Sequence, residues 1–179
     1  MEEGAAGHDE RYAAAAAAFG GAIERLARAY EAEPDARADL IQDIHLALWR
    51  SLARFDGRCS LRTWVYRVAH NTAASHVAKR RRGPPHRLAS LEELERIAAD
   101  DNPESTVGDR HALERLMQVV QALQPPDRQI VLLYLEDLDA AAIGEITGLS
   151  AGAVATKIHR LKALLARRFA EGEPNDPTS

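Results

Sequence analysis

Phe55–Arg82 reads FDGRCSLRTWVYRVAHNTAASHVAKRRR. No Asp or Glu occurs between Asp56 and Glu92, whereas Arg58, Arg62, Arg67, Lys79, Arg80, Arg81, Arg82 and Arg87 all fall in that interval. The whole chain carries a net charge of −4, so the basic stretch is a local feature that needs a local explanation. Trp64, Tyr66, Asn71, Thr72 and Ser75 lie within it, and these are side-chain types that stack on bases or hydrogen-bond to their edges. Asp56-Gly57 marks a loop, and Ser60 is placed to cap a helix from Leu61 to about Lys79. The spacing puts Trp64, Val65, Val68, Ala69, Thr72 and Val77 on the apolar side of that helix. Arg62, Arg67, His70, Asn71, Ser75 and Lys79 are left for its other faces, and Gly83-Pro84-Pro85 ends it.

Upstream, residues 1 to about 8 are small, charged and unpatterned and are expected to be disordered. Phe19, Ile23, Leu26, Ala27 and Tyr30 then recur at helical spacing from about Asp9, with Gly20-Gly21 expected to interrupt or soften the helix. Pro34 punctuates, and Asp35 is the expected cap of a second helix whose stripe is Leu40, Ile41, Ile44, Leu48 and Leu52. Leu46 and Trp49 fall among its polar neighbours. Trp49 either faces outward or plugs the core; the pattern leaves both open.

Downstream, proline, glycine and acids replace the basic stretch, and residues 83–108 read mostly as a linker in which Leu88, Leu91, Leu94 and Ile97 could form a short helix. A helix follows from about Asp109 with Leu113, Leu116, Met117, Val120 and Leu123. Pro125-Pro126 opens another, carrying Ile130, Val131, Leu133, Tyr134 and Leu135. Ala140–Thr147, a tight turn at Gly148-Leu149 and a long helix capped by Ser150 have the spacing of a helix-turn-helix. Val154, Ile158, Leu161 and Leu165 are its inward side, while Gly152, Ala153, Thr156, Lys157 and Arg160 face away. Small residues in the first turn let a helix approach a major groove closely; a cationic helical hairpin facing solvent is the plainer alternative. The expected fold is all-α: a helical domain over 9–82, a linker over 83–108, and a four-helix helix-turn-helix domain over 109–170.

Composition bounds the rest. At 179 residues with a pI near 6, the chain does not look like a free-standing DNA binder, so any nucleic-acid role needs a partner that supplies affinity. One cysteine, Cys59, excludes an internal disulfide and a multi-cysteine zinc site and points to a reducing, cytoplasmic setting. The acidic N-terminus has no basic n-region, and Ala13–Ala18 is too short for a membrane span, so no direct membrane insertion is expected. The tail EGEPNDPTS is polar, and no further domain is expected after it.

The ordered pair of basic helical units resembles the extracytoplasmic-function group of bacterial sigma-70 factors over about residues 9–170. The first unit carries the likeness in Asp39-Leu40-Ile41-Gln42-Asp43, Leu48-Trp49, Phe55-Asp56-Gly57-Arg58, Arg62-Thr63-Trp64-Val65-Tyr66-Arg67 and Asn71. The second resembles the group's fourth region over ALQPPDRQIVLLYLEDLDAAAIGEITGLSAGAVATKIHRLKALL. The resemblance implies docking on core RNA polymerase, at the β′ clamp helices and the β flap, with Asp39, Gln42, Asp43, Leu46 and Trp49 as the clamp-binding face. It implies promoter DNA as ligand. Asp56, Gly57, Arg58, Ser60, Arg62, Trp64, Arg67, His70, Asn71 and Ser75 would read and hold open the −10 element, with Lys79, Arg80, Arg81 and Arg82 gripping phosphates. Ser150, Gly152, Ala153, Thr156, Lys157 and Arg160 would read the −35 element. An anti-sigma protein is an implied partner, and no cofactor, metal or small-molecule substrate is. The chain departs from the group's pattern at Arg37-Ala38, where an acidic pair is common, and at Ala153 and Ala155, where Thr and Lys are common.

Three other functions compete, of which a purely protein-binding helical module leaves both basic stretches unexplained. Catalysis finds little purchase: His70 and His76 are six residues apart on different helix faces, and neither HExxH nor a glycine-rich phosphate loop occurs. A dimeric helix-turn-helix regulator with an N-terminal sensor would use the second unit alone, and co-purification with core polymerase would count against it.

Overall fold

The structure is a computed structural model that describes residues 2–80, 88–94 and 109–169. Among the described residues, seven helices of eight residues or more follow in chain order as α1 (Glu2–Tyr30), α2 (Pro34–Leu52), α3 (Leu61–Arg80), α4 (Asp109–Ala122), α5 (Pro125–Leu135), α6 (Ala140–Thr147) and α7 (Ala151–Phe169), with a single helical turn at 91–94. The described residues contain no strand, and a lone parallel bridge joins Ala89 to Leu123. The all-α expectation holds.

Helix α1 starts seven residues before the expected Asp9 and runs through Gly20-Gly21 without a break. Each helical glycine costs about 1 kcal/mol relative to alanine. The alanine-rich run before the pair and the burial of Ile23, Leu26, Ala27 and Tyr30 after it outweigh that cost. The cap of α2 is Glu33, not Asp35: its carboxylate accepts hydrogen bonds from the Asp35 and Ala36 amides at 3.0 and 2.7 Å, with Pro34 at the first helical position. Leu40, Ile44, Leu48 and Leu52, spaced by four, are fully buried. They pack with Val65, Ala69 and Ala73 of α3 and the apolar side of α1 into the first core. Ser60 caps α3 as expected, its Oγ accepting from the Thr63 amide at 3.0 Å.

In the second unit Asp139 caps α6 through the Ala142 amide at 2.8 Å, and Ser150 caps α7 through the Ala153 amide at 3.2 Å. Gly148 ends α6 in the left-handed region at φ 80°, which a side chain would strain. Gly144 lies where α6 meets the turn: a Cβ added there would sit 2.8 Å from the Leu149 carbonyl oxygen. That close approach fixes the angle at which α7 leaves the turn. Ile143, Ile146 and Val154 join Ile130 and Leu133 in the core beneath.

Residues 88–94 are not the free linker that the sequence suggested. The Ala89 amide donates to the Ala122 carbonyl and the Gln124 amide to the Ala89 carbonyl, both at 2.9 Å. Leu91 is 1% exposed, in a core with Val120, Leu123 and Leu164. Expected helix residue Ile97 lies outside the described residues. The two helical units also share their cores. Ala22 of α1 and Tyr66 of α3 pack with Ile130, Leu133 and Ile143, and Ala29 of α1 packs with Val119, Val131 and Leu161.

Gly→Ala substitutions at two helical sites are expected to act in opposite directions. Gly144→Ala should destabilise by about 1–3 kcal/mol through overpacking against backbone. At Gly20 an added Cβ meets nothing within 4 Å, so Gly20→Ala should stabilise by up to about 1 kcal/mol. Urea unfolding midpoints check both; a shift of the same sign would contradict the packing at Gly144.

Candidate nucleic-acid and partner-docking site

The outer stripe of α2 answers the question about Trp49. Asp39, Gln42, Asp43, Leu46 and Trp49 are all exposed, at the three- and four-residue steps that place them on one helix face. Leu46 is 46% and Trp49 42% exposed, more than core packing of large apolar side chains would leave. Trp49 is nevertheless held in place by the start of α1. Its indole N–H donates to Asp9 Oδ1 at 3.0 Å, its carbonyl lies 2.7 Å from His8 Nε2, and the His8 ring meets its ring edge-on. His8, the last residue of the stretch expected to be disordered, thus forms part of this face.

The α3 side chains divide between two environments. Asn71, Ser75 and Lys79 are exposed, and with Asp43, Leu46 and Arg50 of α2 they line one open groove. His76 on the groove floor reaches Glu31 of α1 at 3.2 Å. Arg62, Arg67 and His70 instead face the second unit. Arg62 donates to the Glu136 carbonyl at 2.7 Å and lies over the Tyr66 ring, and Arg67 donates to the Glu145 carbonyl. His70 corrects the sequence expectation: at 2% exposure it cannot meet a DNA strand in this arrangement. It lies on the same side as Tyr66 and Ala69, the side that α1 and the second unit cover. Trp64 is likewise half-buried, edge-on to Phe55 with its N–H donated to Ser51 Oγ at 3.0 Å, so its ring is a prop for the loop. In that loop Arg58 folds back on Asp56, by an ion pair at 2.6 Å and by its amide at 3.2 Å. These bonds, the backbone one foremost, lower the Asp56 pKa. Gly57 takes φ 76°. Arg81 and Arg82 lie outside the described residues, as does the Arg80 side chain.

At the buried junction of the units, Tyr30 of α1, His70 of α3 and Arg128 of α5 meet. Tyr30 Oη is 3.2 Å from His70 Nδ1 and 3.5 Å from the Pro125 carbonyl; a hydrogen on Nδ1 donated to Tyr30, with the phenol donated to Pro125, satisfies both contacts. The Arg128 guanidinium stands 4.9 Å from the Tyr30 ring centre and donates to the Leu123 carbonyl at 2.8 Å and to that of Gln121. Burial lowers the pKa of His70 to about 3, lowers that of Arg128 and raises that of Tyr30.

Along α7, Gly152, Ala153 and Thr156 are exposed, and so is Ser150. Lys157 and Arg160 are only half-exposed because acids hold them. Lys157 reaches Asp127 at 2.6 Å and Glu92 at 3.4 Å, and Arg160 pairs with Glu92. Asp127, itself buried, also accepts the Leu91 amide at 2.9 Å. Sequence reasoning missed Glu92, Asp127, Arg128 and Glu136. Asp127 and Arg128 follow Pro125-Pro126 at the start of a helix, where charges are ordinarily solvated, and nothing in the local pattern marks them as buried.

The Sigma-70 region 2 family model matches residues 16–83 and the Sigma-70, region 4 model residues 113–165. ECF RNA polymerase sigma factor SigW of Bacillus subtilis is 30% identical over 155 residues, covering 80% of this chain and 78% of that protein. RNA polymerase sigma factor YlaC of the same organism is 27% identical, covering 77% of this chain and 80% of its own. ECF RNA polymerase sigma factor SigG of Mycobacterium tuberculosis is 28% identical over 71% of this chain, but the match spans only 40% of that longer protein. Among solved structures, CnrH in complex with the cytosolic domain of CnrY has a TM-score of 0.66 at 22% identity over 96% of both chains. The sigma factor RpoE in complex with the anti-sigma factor NepR from Bartonella quintana has a TM-score of 0.60 at 17% identity, over 86% of this chain and 92% of that one.

The buried histidine gives a pH signature. Burial lowers its pKa from 6.5 to about 3, so between those values the unfolded chain binds the proton and the folded chain does not. Stability is therefore full above about pH 6.5 and falls as the pH drops toward the folded value. In urea unfolding at about pH 7 and about pH 5, the parent should lose more stability on acidification than His70→Leu; parallel losses would show that His70 is not held neutral.

Proposed function

The chain belongs to the extracytoplasmic-function group of sigma-70 factors, and on that premise we propose that it binds core RNA polymerase and directs initiation at a defined set of promoters. The observation that carries the reading is the groove between α2 and α3. One wall offers Asp43, Leu46 and Arg50 from the stripe that would dock on the β′ clamp helices; the other offers Asn71, Ser75 and Lys79 to the opened −10 strand. Polymerase and single strand would be held side by side on one rigid pair of helices, so docking positions the reader. Asn71 presents an amide that both donates and accepts toward a base edge. Lys79, with Arg80, Arg81 and Arg82, grips phosphate without reading sequence.

In the second unit, the exposed first turn of α7 enters the major groove of the −35 element. Ser150, Gly152, Ala153 and Thr156 come closest to the bases, Lys157 and Arg160 reach the phosphates, and the unit's other side meets the β flap. The net charge of −4 suits a subunit that borrows non-specific DNA affinity from a larger enzyme. Because RpoE was solved in complex with the anti-sigma factor NepR, and CnrH in complex with the cytosolic domain of CnrY, an anti-sigma protein is the proposed regulator. No described helix is long and apolar enough to cross a membrane, and the site of action is the cytoplasm, where polymerase works.

Run-off transcription with core polymerase on genomic fragments tests the function: start sites absent with core alone should appear when the chain is added, and their failure to appear would sink it. On a promoter so found, Asn71→Ala should flatten the preference among −10 base substitutions by about 1–3 kcal/mol at the affected position. Lys79→Ala should weaken all promoters alike and reduce the salt slope by about 1. The same pattern from both variants would refute the separation of reading from gripping.

A further inference from the structure

Most of the described arginine side chains end on oxygens of their own chain. Arg25 reaches Glu136, Arg58 reaches Asp56 and Arg160 reaches Glu92. Arg37, Arg62, Arg67 and Arg128 each reach backbone carbonyls. Arg11, Arg50 and Arg54 do not. All three are exposed, and none of the three guanidiniums has a hydrogen bond or ion pair among the described residues. All three line one cavity of about 660 Å³ between the first part of α1 and the end of α2, a size within the range of about 300–1,000 Å³ usual for small-molecule sites.

Arginines near the end of a helix ordinarily serve its last carbonyls, but here other donors meet that need. The Leu48 carbonyl accepts from Ser51 Oγ at 3.0 Å and the Trp49 carbonyl from His8 Nε2 at 2.7 Å. The Ser51 carbonyl accepts the Arg54 amide at 2.9 Å and the Leu52 carbonyl the Phe55 amide at 3.2 Å. Nearby carboxylates are engaged as well: Asp9 holds the Trp49 indole and Asp56 holds Arg58. Three like charges are thus left gathered, at some mutual cost, beside a wall made by Trp49, Leu52 and Ala53. The Trp49 ring in that wall is already fixed by Asp9 and by His8 edge-on to it, so a ligand loses little by using it.

We infer that this cavity binds a nucleotide, with phosphate oxygens on Arg11, Arg50 and Arg54 and the base against Trp49, Leu52 and Ala53. Planar guanidinium forks pair with phosphate two bonds at a time, and every base offers a π-face to an indole. A purely apolar ligand would leave the charges unanswered, and a bare anion would leave the wall wet. Arg50 also lines the groove between α2 and α3, so two sources supply the same chemistry: a free nucleoside phosphate, or a nucleotide of a single strand that runs on from the groove. Either one shares Trp49 with the stripe assigned to polymerase docking, which couples occupancy and docking at one side chain.

The test uses the full-length chain without polymerase and reads binding by calorimetry and tryptophan emission. The probes are ATP, adenosine, inorganic tripolyphosphate and a short single-stranded deoxyadenosine oligonucleotide. ATP should bind with a Kd below about 1 mM, and more tightly than adenosine or tripolyphosphate, because each half of it engages one side of the cavity. The Arg11 and Arg54 side chains have no internal partner to lose, so Arg11→Ala and Arg54→Ala should stay folded by circular dichroism and weaken ATP about three- to tenfold each. Arg28→Ala removes the same charge from an exposed position on α1 outside the cavity and should leave the affinity unchanged. Binding of the oligonucleotide but not ATP, weakened by Arg11→Ala, would assign the site to a strand. Tripolyphosphate binding as tightly as ATP, equal losses from Arg28→Ala and Arg11→Ala, or no binding of either nucleotide probe that Arg11→Ala weakens would overturn the site. These readouts need no promoter, so a chain that binds nucleotide here but gains no start sites in run-off transcription would count against the proposed function alone.

Discussion

The Tyr30 side chain stands where three helices of two units converge, and the closed structure depends on how that point is satisfied. An aromatic ring there fills the apolar gap beside α3, and its face receives the Arg128 guanidinium at 4.9 Å. Its hydroxyl reaches His70 and the Pro125 carbonyl. A buried polar group without a partner costs about 1–3 kcal/mol, so each member of the cluster constrains the placement of the others. Burial keeps His70 neutral, while Arg128 retains its charge through two backbone carbonyls and the ring. Removing Tyr30 would take from His70 Nδ1 its hydrogen-bond partner and from Arg128 the ring it lies over, so this one side chain ties α1 to both α3 and α5.

Around that centre the chain distributes its charge economically. Arginines and lysines long enough to reach phosphate are also long enough to reach carboxylates and carbonyls of their own chain. Two faces receive different treatment. The groove between α2 and α3 leaves Asn71, Ser75 and Lys79 exposed, while the faces turned toward the second unit engage Arg62, Arg67, Lys157 and Arg160 internally. Arg25 foremost lowers the pKa of Glu136, and a backbone hydrogen bond first, with Lys157 and Arg160 after it, lowers that of Glu92.

Much of this was legible in the sequence. Each helix followed from apolar spacing and local stop signals, because burial of a periodic stripe is a local decision. The Ser60, Gly148 and Ser150 signals were read correctly because caps and left-handed turns are formed within four residues of one another. Periodicity also placed Leu46 and Trp49 among polar neighbours but left Trp49 open, and it was the family resemblance that grouped them with Asp39, Gln42 and Asp43. What escaped was long-range. That His70 would be buried depended on which side of α3 the second unit covers, and helix spacing leaves that open on a helix with polar residues on most faces. Residues 88–94 looked like a linker because proline, glycine and acids dominate nearby, yet Leu91 and two backbone hydrogen bonds dock them. Gly20-Gly21 and the first residues were misjudged by weighing propensity above the packing of a 29-residue helix.

The two tryptophans occupy opposite surroundings. Trp64 is packed edge-on to Phe55 with its N–H closed on Ser51, while Trp49 lies 42% exposed with a histidine ring beside it. Indole emission shifts with solvent contact, so the fluorescence of Trp49 on the outer face of α2 responds to whatever covers that face. The molecule thus carries an intrinsic optical gauge on the surface a partner would cover, requiring no attached dye and leaving the half-buried Trp64 as its internal standard.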